Sequence, residues 1–157
     1  MLRTRPPVAA RLAVAIVTAW IATALPAGPV ASAEPAAREA MLARLAEIRD
    51  AHGLAALRHS PGLARAARAH ARVLMRSDAL AHAWDVLAPG FRSGGEALAR
   101  QWGWSLRPRP VVRMWMASGF HRAMLLDPGF SHAGVGWRRG RFGGRVATVW
   151  VLRLGGR

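Results

Sequence analysis

Hydrophobic positions along the chain recur first at helical and later at alternating spacing, and the change of period predicts helices followed by strands. From Arg38 to about Ala51 the residues Met41, Leu45 and Ile48 share one helical face, with Arg44, Glu47 and Asp50 off it. His52-Gly53 ends that pattern. A second helix is expected after Ser60, an N-cap, with Pro61 in the first turn, where a missing N–H costs nothing. Its apolar face is Leu63, Ala67, His70 and Leu74, while Arg65, Arg68, Arg72 and Arg76 form a solvated stripe. Residues 78–107 show no clear period and hold Pro89, Gly90, Gly94, Gly95 and Gly103, which reads as a long functional loop or one wrapped over the core. Trp84, Trp102 and Trp104 in that stretch are expected to plug the core rather than line a groove.

Pro108 and Pro110 then introduce a short helix carrying Val111, Val112, Trp115 and Met116. Ser118 is placed as the N-cap of a further helix, Gly119 to Leu126, ended by Asp127-Pro128-Gly129. Two strands follow, because Ala133, Val135 and Trp137 alternate with small or basic residues, as do Val146, Thr148, Trp150 and Leu152. Gly140 to Gly144 joins them as a hairpin loop. Helices first and strands last give an α+β class with an antiparallel sheet.

The first residues change the picture of where the domain begins. Arg3, Arg5 and Arg11 precede an apolar run from Leu12 to Leu25, and Pro26, Gly28 and Pro29 break it. Ala31-Ser32-Ala33 fits a signal-cleavage pattern, so residues 1–33 are expected to be a cleaved secretory signal and 34–157 one exported domain, secreted or periplasmic. The apolar run is shorter than the roughly 20 residues a spanning helix needs, so no transmembrane anchor is expected after cleavage. The absence of cysteine excludes disulfides, iron–sulfur clusters and thiolate zinc sites. Every one of the 23 basic residues is arginine; beyond residue 33 there are 20, against 8 acidic residues. Arginine without lysine reflects a GC-rich coding bias first, yet the net charge of +12 still favours an anionic lipid or another cell-envelope component as partner. Nucleic acid is not expected, given export and no recognisable binding motif.

Several segments, taken in order, resemble the CAP superfamily of SCP-like extracellular proteins, in its bacterial branch. Leu54 to Arg72 resembles that family's second helix and its approach, and Ala81-His82 its first site histidine. Gly95-Glu96-Ala97 resembles the family's Gly-Glu-Asn motif, and Trp115 to Phe130, through His121, its Trp-x-x-Ser-Pro-Gly-His-Arg signature. Ala133-Gly-Val-Gly136 is similar to the strand that follows. The resemblance implies an α-β-α sandwich with a central antiparallel sheet, and a cleft lined by two histidines and acidic residues that holds a divalent cation in some members. The chain departs from the pattern at Ala97, at Gly119-Phe120 in place of Pro-Gly, and at Ser118, where some relatives carry a second glutamate.

By that resemblance His82, Glu96 and His121 are the candidate cleft residues and candidate metal ligands, with Ser118 beside them. Two imidazoles and one carboxylate suit zinc better than calcium or magnesium, which prefer several oxygens. Ser118 reads as a cap rather than a nucleophile, since no nucleophile elbow surrounds it. His70 reads as a packing residue, His52 and His59 as exposed, and His132 as a candidate for the cleft edge. The expected function is a binding module for a lipid, an envelope component or a partner protein. The alternatives are a metal-dependent envelope hydrolase with Glu96 as general base, its catalytic residues otherwise open, and a non-catalytic structural scaffold.

Overall fold

The computed structural model describes residues 33–157; the export segment expected over residues 1–33 lies, but for Ala33, outside the described residues. Helix α1 (Ala33–Asp50) starts before the expected Arg38 and buries Met41 and Leu45. A two-residue strand β1 (Arg58–His59) leads into α2 (Pro61–Ser77), where the Ser60 hydroxyl accepts from the Leu63 N–H as an N-cap should. Strand β2 (Ser93–Trp102) follows, then α3 (Pro108–Ala117), α4 (Gly119–Leu125), β3 (His132–Phe142) and β4 (Arg145–Gly156). Among the described residues no helix is long and apolar enough to cross a membrane.

The sheet has the order β1-β3-β4-β2. The three long strands pair antiparallel, but β1 runs parallel to β3, so the sheet is mixed rather than wholly antiparallel. Helices cover both faces. On one, Val111, Val112 and Trp115 of α3 and Met41 and Leu45 of α1 pack against Trp150, Leu152 and Leu154 of β4. On the other, Ala67, Ala71 and Leu74 of α2 meet Ala147, Val149 and Val151. The α-β-α sandwich is therefore present, and α+β is its class.

Strand β2 lies where a loop was expected. Its inward residues on the α3 face are Gly95, Ala97 and Ala99, which carry none of the β-branched or aromatic bulk that marks a strand. Ala97 and Ala99 pack in one cluster with the fully buried Trp115, whose indole N–H donates to the Leu98 carbonyl at 2.9 Å, and a side chain at Gly95 would run into Met124 and Phe130. The three loop tryptophans do not plug the core: Trp84 is fully exposed, Trp104 57% exposed and Trp102 40%. The hairpin loop is also shorter than expected. Strand β3 continues through Phe142, and the turn is Gly143-Gly144 alone, both at positive φ, the geometry a two-residue hairpin requires.

Helix α2 sits unusually close to β3. A Cβ at Gly134 would lie 2.1 Å from the Ala64 nitrogen, and one at Gly136 2.3 Å from the Arg68 nitrogen. Backbone rests on backbone here, and this contact fixes the height of α2 and of His70 above the sheet.

Candidate functional site

Glu96 is set on β2 opposite Arg153 of β4, on the sheet face that α2 covers. Its side chain has no exposed surface, and a bare buried carboxylate would be very costly. Four groups converge on it. Its Oε1 accepts from His82 Nδ1–H and from the Ala83 backbone N–H, each at 3.0 Å. Its Oε2 lies 2.8 Å from Arg153 Nε, a charge contact off the N–H axis that leaves both atoms without a directed hydrogen bond. His70 Nε2 stands 3.9 Å from the same oxygen and 2.9 Å from the Ala81 carbonyl. His70 is thus more than a packing residue on α2, because it closes the carboxylate's surroundings from the helix side. Arg153 also donates to the Asp85 carbonyl at 2.9 Å, so the Glu96–Arg153 pair ties the segment after His82 to the sheet.

His121, in the first turn of α4, is close enough to His82 for the two to influence each other. Burial holds its pKa below the usual histidine value, and the neighbouring His82 adds to the effect. Its Nε2 is buried with no hydrogen-bond partner. His82 therefore touches Glu96 on one side and has His121 as a neighbour on the other, while His121 itself does not line the cleft described below. Ser118 lies at the N-cap position of α4, but its hydroxyl makes no cap bond, contrary to expectation; its carbonyl instead accepts from the Arg122 N–H at 2.8 Å. Ser118 does not line the cleft described below.

The other histidines separate cleanly. His52 and His59 are exposed. His132 is 6% exposed, bonded to the Ser131 hydroxyl at 2.9 Å and set edge-on beneath Phe91. It supports the loop rather than lining the cleft.

A cleft of about 640 Å³ opens beside His82 and Glu96. Its walls are largely apolar, with Phe120, Met124, Leu126 and Phe130 prominent, and His82, Glu96 and Asp127 are its polar positions. One residue that builds it was not singled out from the sequence. Arg49 of α1 is 2% exposed, and its guanidinium donates to the carbonyls of Ala55, Leu125, Asp127 and Phe130 at 2.8–3.1 Å. The irregular stretch after α4, which forms the cleft floor, is thereby hung from a single buried cation. A signal existed: Arg49 follows Leu45 by four residues, placing it on the helix face that Met41 and Leu45 bury. Arg153 was legible in the same way, since β4 alternation points it inward with Val149 and Val151.

A divalent cation would need open donors. Both oxygens of Glu96 are engaged, so a metal could reach them only by displacing Arg153 or His82. Among the described residues no three histidine, cysteine or acidic side chains are disposed to hold a metal ion. The donor set in this arrangement does not fit a three-ligand centre, and the Glu96 carboxylate is buried beside the Arg153 guanidinium with its Oε1 already accepting two hydrogen bonds.

The family model described as CAP, the Cysteine-rich secretory protein family, matches residues 42–154. No curated protein matches the chain in sequence. Among solved structures, an outer surface protein of Borrelia burgdorferi is 22% identical with a TM-score of 0.59, over 76% of this chain and 91% of that one. An extracellular protein containing an SCP domain from Bacillus anthracis is 20% identical with a TM-score of 0.62, over 78% of this chain and 41% of that one, so this chain spans less than half of that protein. Venom allergen-like protein 4 of Schistosoma mansoni is 14% identical with a TM-score of 0.59, over 77% of this chain and 89% of that one. At these identities the likeness shows the fold alone.

Proposed function

Starting from the fact that the chain belongs to the CAP family of cysteine-rich secretory proteins, we propose that it is an exported binding module whose cleft takes an amphiphile of the cell envelope. The observation that carries this reading is the make-up of the cleft: apolar walls around about 640 Å³, ending at a polar corner. That volume suits a small-molecule ligand, and the mixture of many apolar groups with few polar ones is what such sites use. The ligand's apolar part would lie against Phe120, Met124 and Leu126, and its polar head at His82. The unpartnered His121 Nε2 beside that corner supports the reading, because buried polar atoms are rarely left without a partner. Phe120, which lines the cleft, is 71% exposed, a large apolar offering for a protein surface. The signal pattern of the first 33 residues supports export.

The test is a titration of delipidated protein with a fluorescent single-chain fatty acid. Wild type should bind saturably and melt at higher temperature when loaded, since a ligand that prefers the folded state stabilises it. Ala123→Trp, at an exposed position of α4 lining the cleft, should melt normally when empty and bind about tenfold more weakly, a loss of about 1.4 kcal/mol. Equal affinity in the two proteins would mean that the cleft is not where the chain binds.

A further inference from the structure

At the opposite end of the sheet from Glu96 a second surface has formed, unrelated to the cleft. Trp102 lies six positions beyond Glu96 along β2, which at strand spacing is about 20 Å. The Trp102 ring lies between two guanidinium groups, Arg100 and Arg145, each 4.1 Å from the ring centre. Arg100 also reaches over Phe142 at 5.0 Å. Across the ladder Arg100 and Arg138 both pair with Val149 on the face that α2 covers, while Arg139 pairs with Thr148 and Arg141 with Val146 on the other face, so arginines surround this end of the sheet from both sides. Trp104, Trp137, Arg138 and Arg139 enclose a shallow hollow next to them. Arg100, Arg138, Arg139, Arg141 and Arg145 are exposed, and none makes an ion pair among the described residues. The acidic group seen at this end, Asp78, is occupied by the Gly143 backbone N–H.

We propose that this hairpin end, with Trp102 and Trp104 among Arg100, Arg138, Arg139, Arg141 and Arg145, docks on an anionic phospholipid bilayer. Coding bias explains arginine in place of lysine, but not its concentration around two exposed tryptophans. Five unpaired cations held on one short hairpin and its neighbour repel one another, and phosphate headgroups would relieve that repulsion. Arginine meets phosphate oxygens with two parallel donors. Tryptophan supplies the other half, since an amphipathic indole settles at the headgroup level of a bilayer. A soluble anionic polymer would satisfy the arginines while leaving Trp104 in water, so the exposed indoles favour the bilayer.

Co-sedimentation with phosphatidylcholine vesicles, with and without phosphatidylglycerol, tests the idea. All proteins compared carry the same N-terminal residues, so any contribution from residues 1–33 cancels. Wild type should partition onto the anionic vesicles in excess of the neutral ones. The double change Arg139→Ala, Arg141→Ala should cut that excess roughly 25-fold, at about fivefold per arginine. Arg65→Ala with Arg109→Ala removes equal charge from other exposed positions, and should change it by less than about fivefold. Trp104→Ser should weaken partitioning more than that control does, while leaving retention on soluble polyphosphate unchanged. Melting curves confirm that each variant is folded. The proposal is overturned if wild type shows no preference for anionic vesicles, or if the control pair loses as much as the patch pair. It is equally overturned if Trp104→Ser binds vesicles as wild type does, which would make a soluble polyanion the partner.

Discussion

Glu96 shows how one side chain can be both structural and site-forming. Its carboxylate is held by Arg153, His82 and the Ala83 N–H, and both ionic partners of the pair are nearly dry, at 4% and 5% exposure. Removing one member of a buried pair strands the other, so Glu96→Ala should cost about 3–5 kcal/mol in denaturant titration. Glu96→Gln keeps an acceptor for His82 and should cost less; an equal loss would mean that the charge on Glu96, and not the hydrogen bond it accepts, carries the whole contribution. His121 makes a prediction about pH. Its folded-state pKa lies below the unfolded one, because burial and then His82 disfavour the cation, so the unfolded chain binds more protons. The associated stability is complete above about pH 6.5 and is lost as pH falls from there toward the depressed folded value. His132, lowered by burial and by Arg157 and Arg58, adds a loss of the same sign. Melting temperature should therefore fall on acidification through that window, and His121→Gln should shallow the slope. A slope unaltered by that change would show that His121 is as free to protonate in the fold as in water.

Among the elements, the packing of α2 on β3 makes the sharpest claim. Gly136→Ala would drive a methyl into the backbone of α2 at Arg68, where nothing can rotate away, and should cost about 3 kcal/mol or more. Gly140→Ala meets only the flexible Met75 thioether, at 3.0 Å, and should cost under about 1.5 kcal/mol. Urea midpoints of the two variants compare them directly, and similar losses would place α2 farther from the sheet than this geometry has it. Strand β2 illustrates the opposite limit of local reading. A strand built from glycine and alanine on its inward face loses the alternation that would reveal it. The hairpin β3–β4 was legible because its inward residues, Val135, Trp137, Trp150 and Leu152, are large.

On the scale of the molecule, the cleft depends on contacts made far apart in the chain. Arg49 of α1 holds three carbonyls of the 125–130 stretch, more than seventy residues away. Arg49→Ala should leave those acceptors buried without donors, at about 1–3 kcal/mol for each group not rescued by water. Fatty-acid binding should weaken in the same variant, because the cleft floor is then unsupported; full affinity with lowered stability would separate Arg49 from the cleft. From sequence alone came the helices α1 to α4, the terminal hairpin and the family, and, through motif order, His82 and Glu96 as neighbours. These are matters of local period and of motif order, which need no knowledge of what each face meets. Tertiary structure alone decided that Glu96 is taken up by Arg153, that His70 joins it, that Arg49 carries the cleft floor and that the loop tryptophans stand in water. Each of those depends on which groups meet across the sheet, and an inward-pointing arginine announces only that some partner must exist.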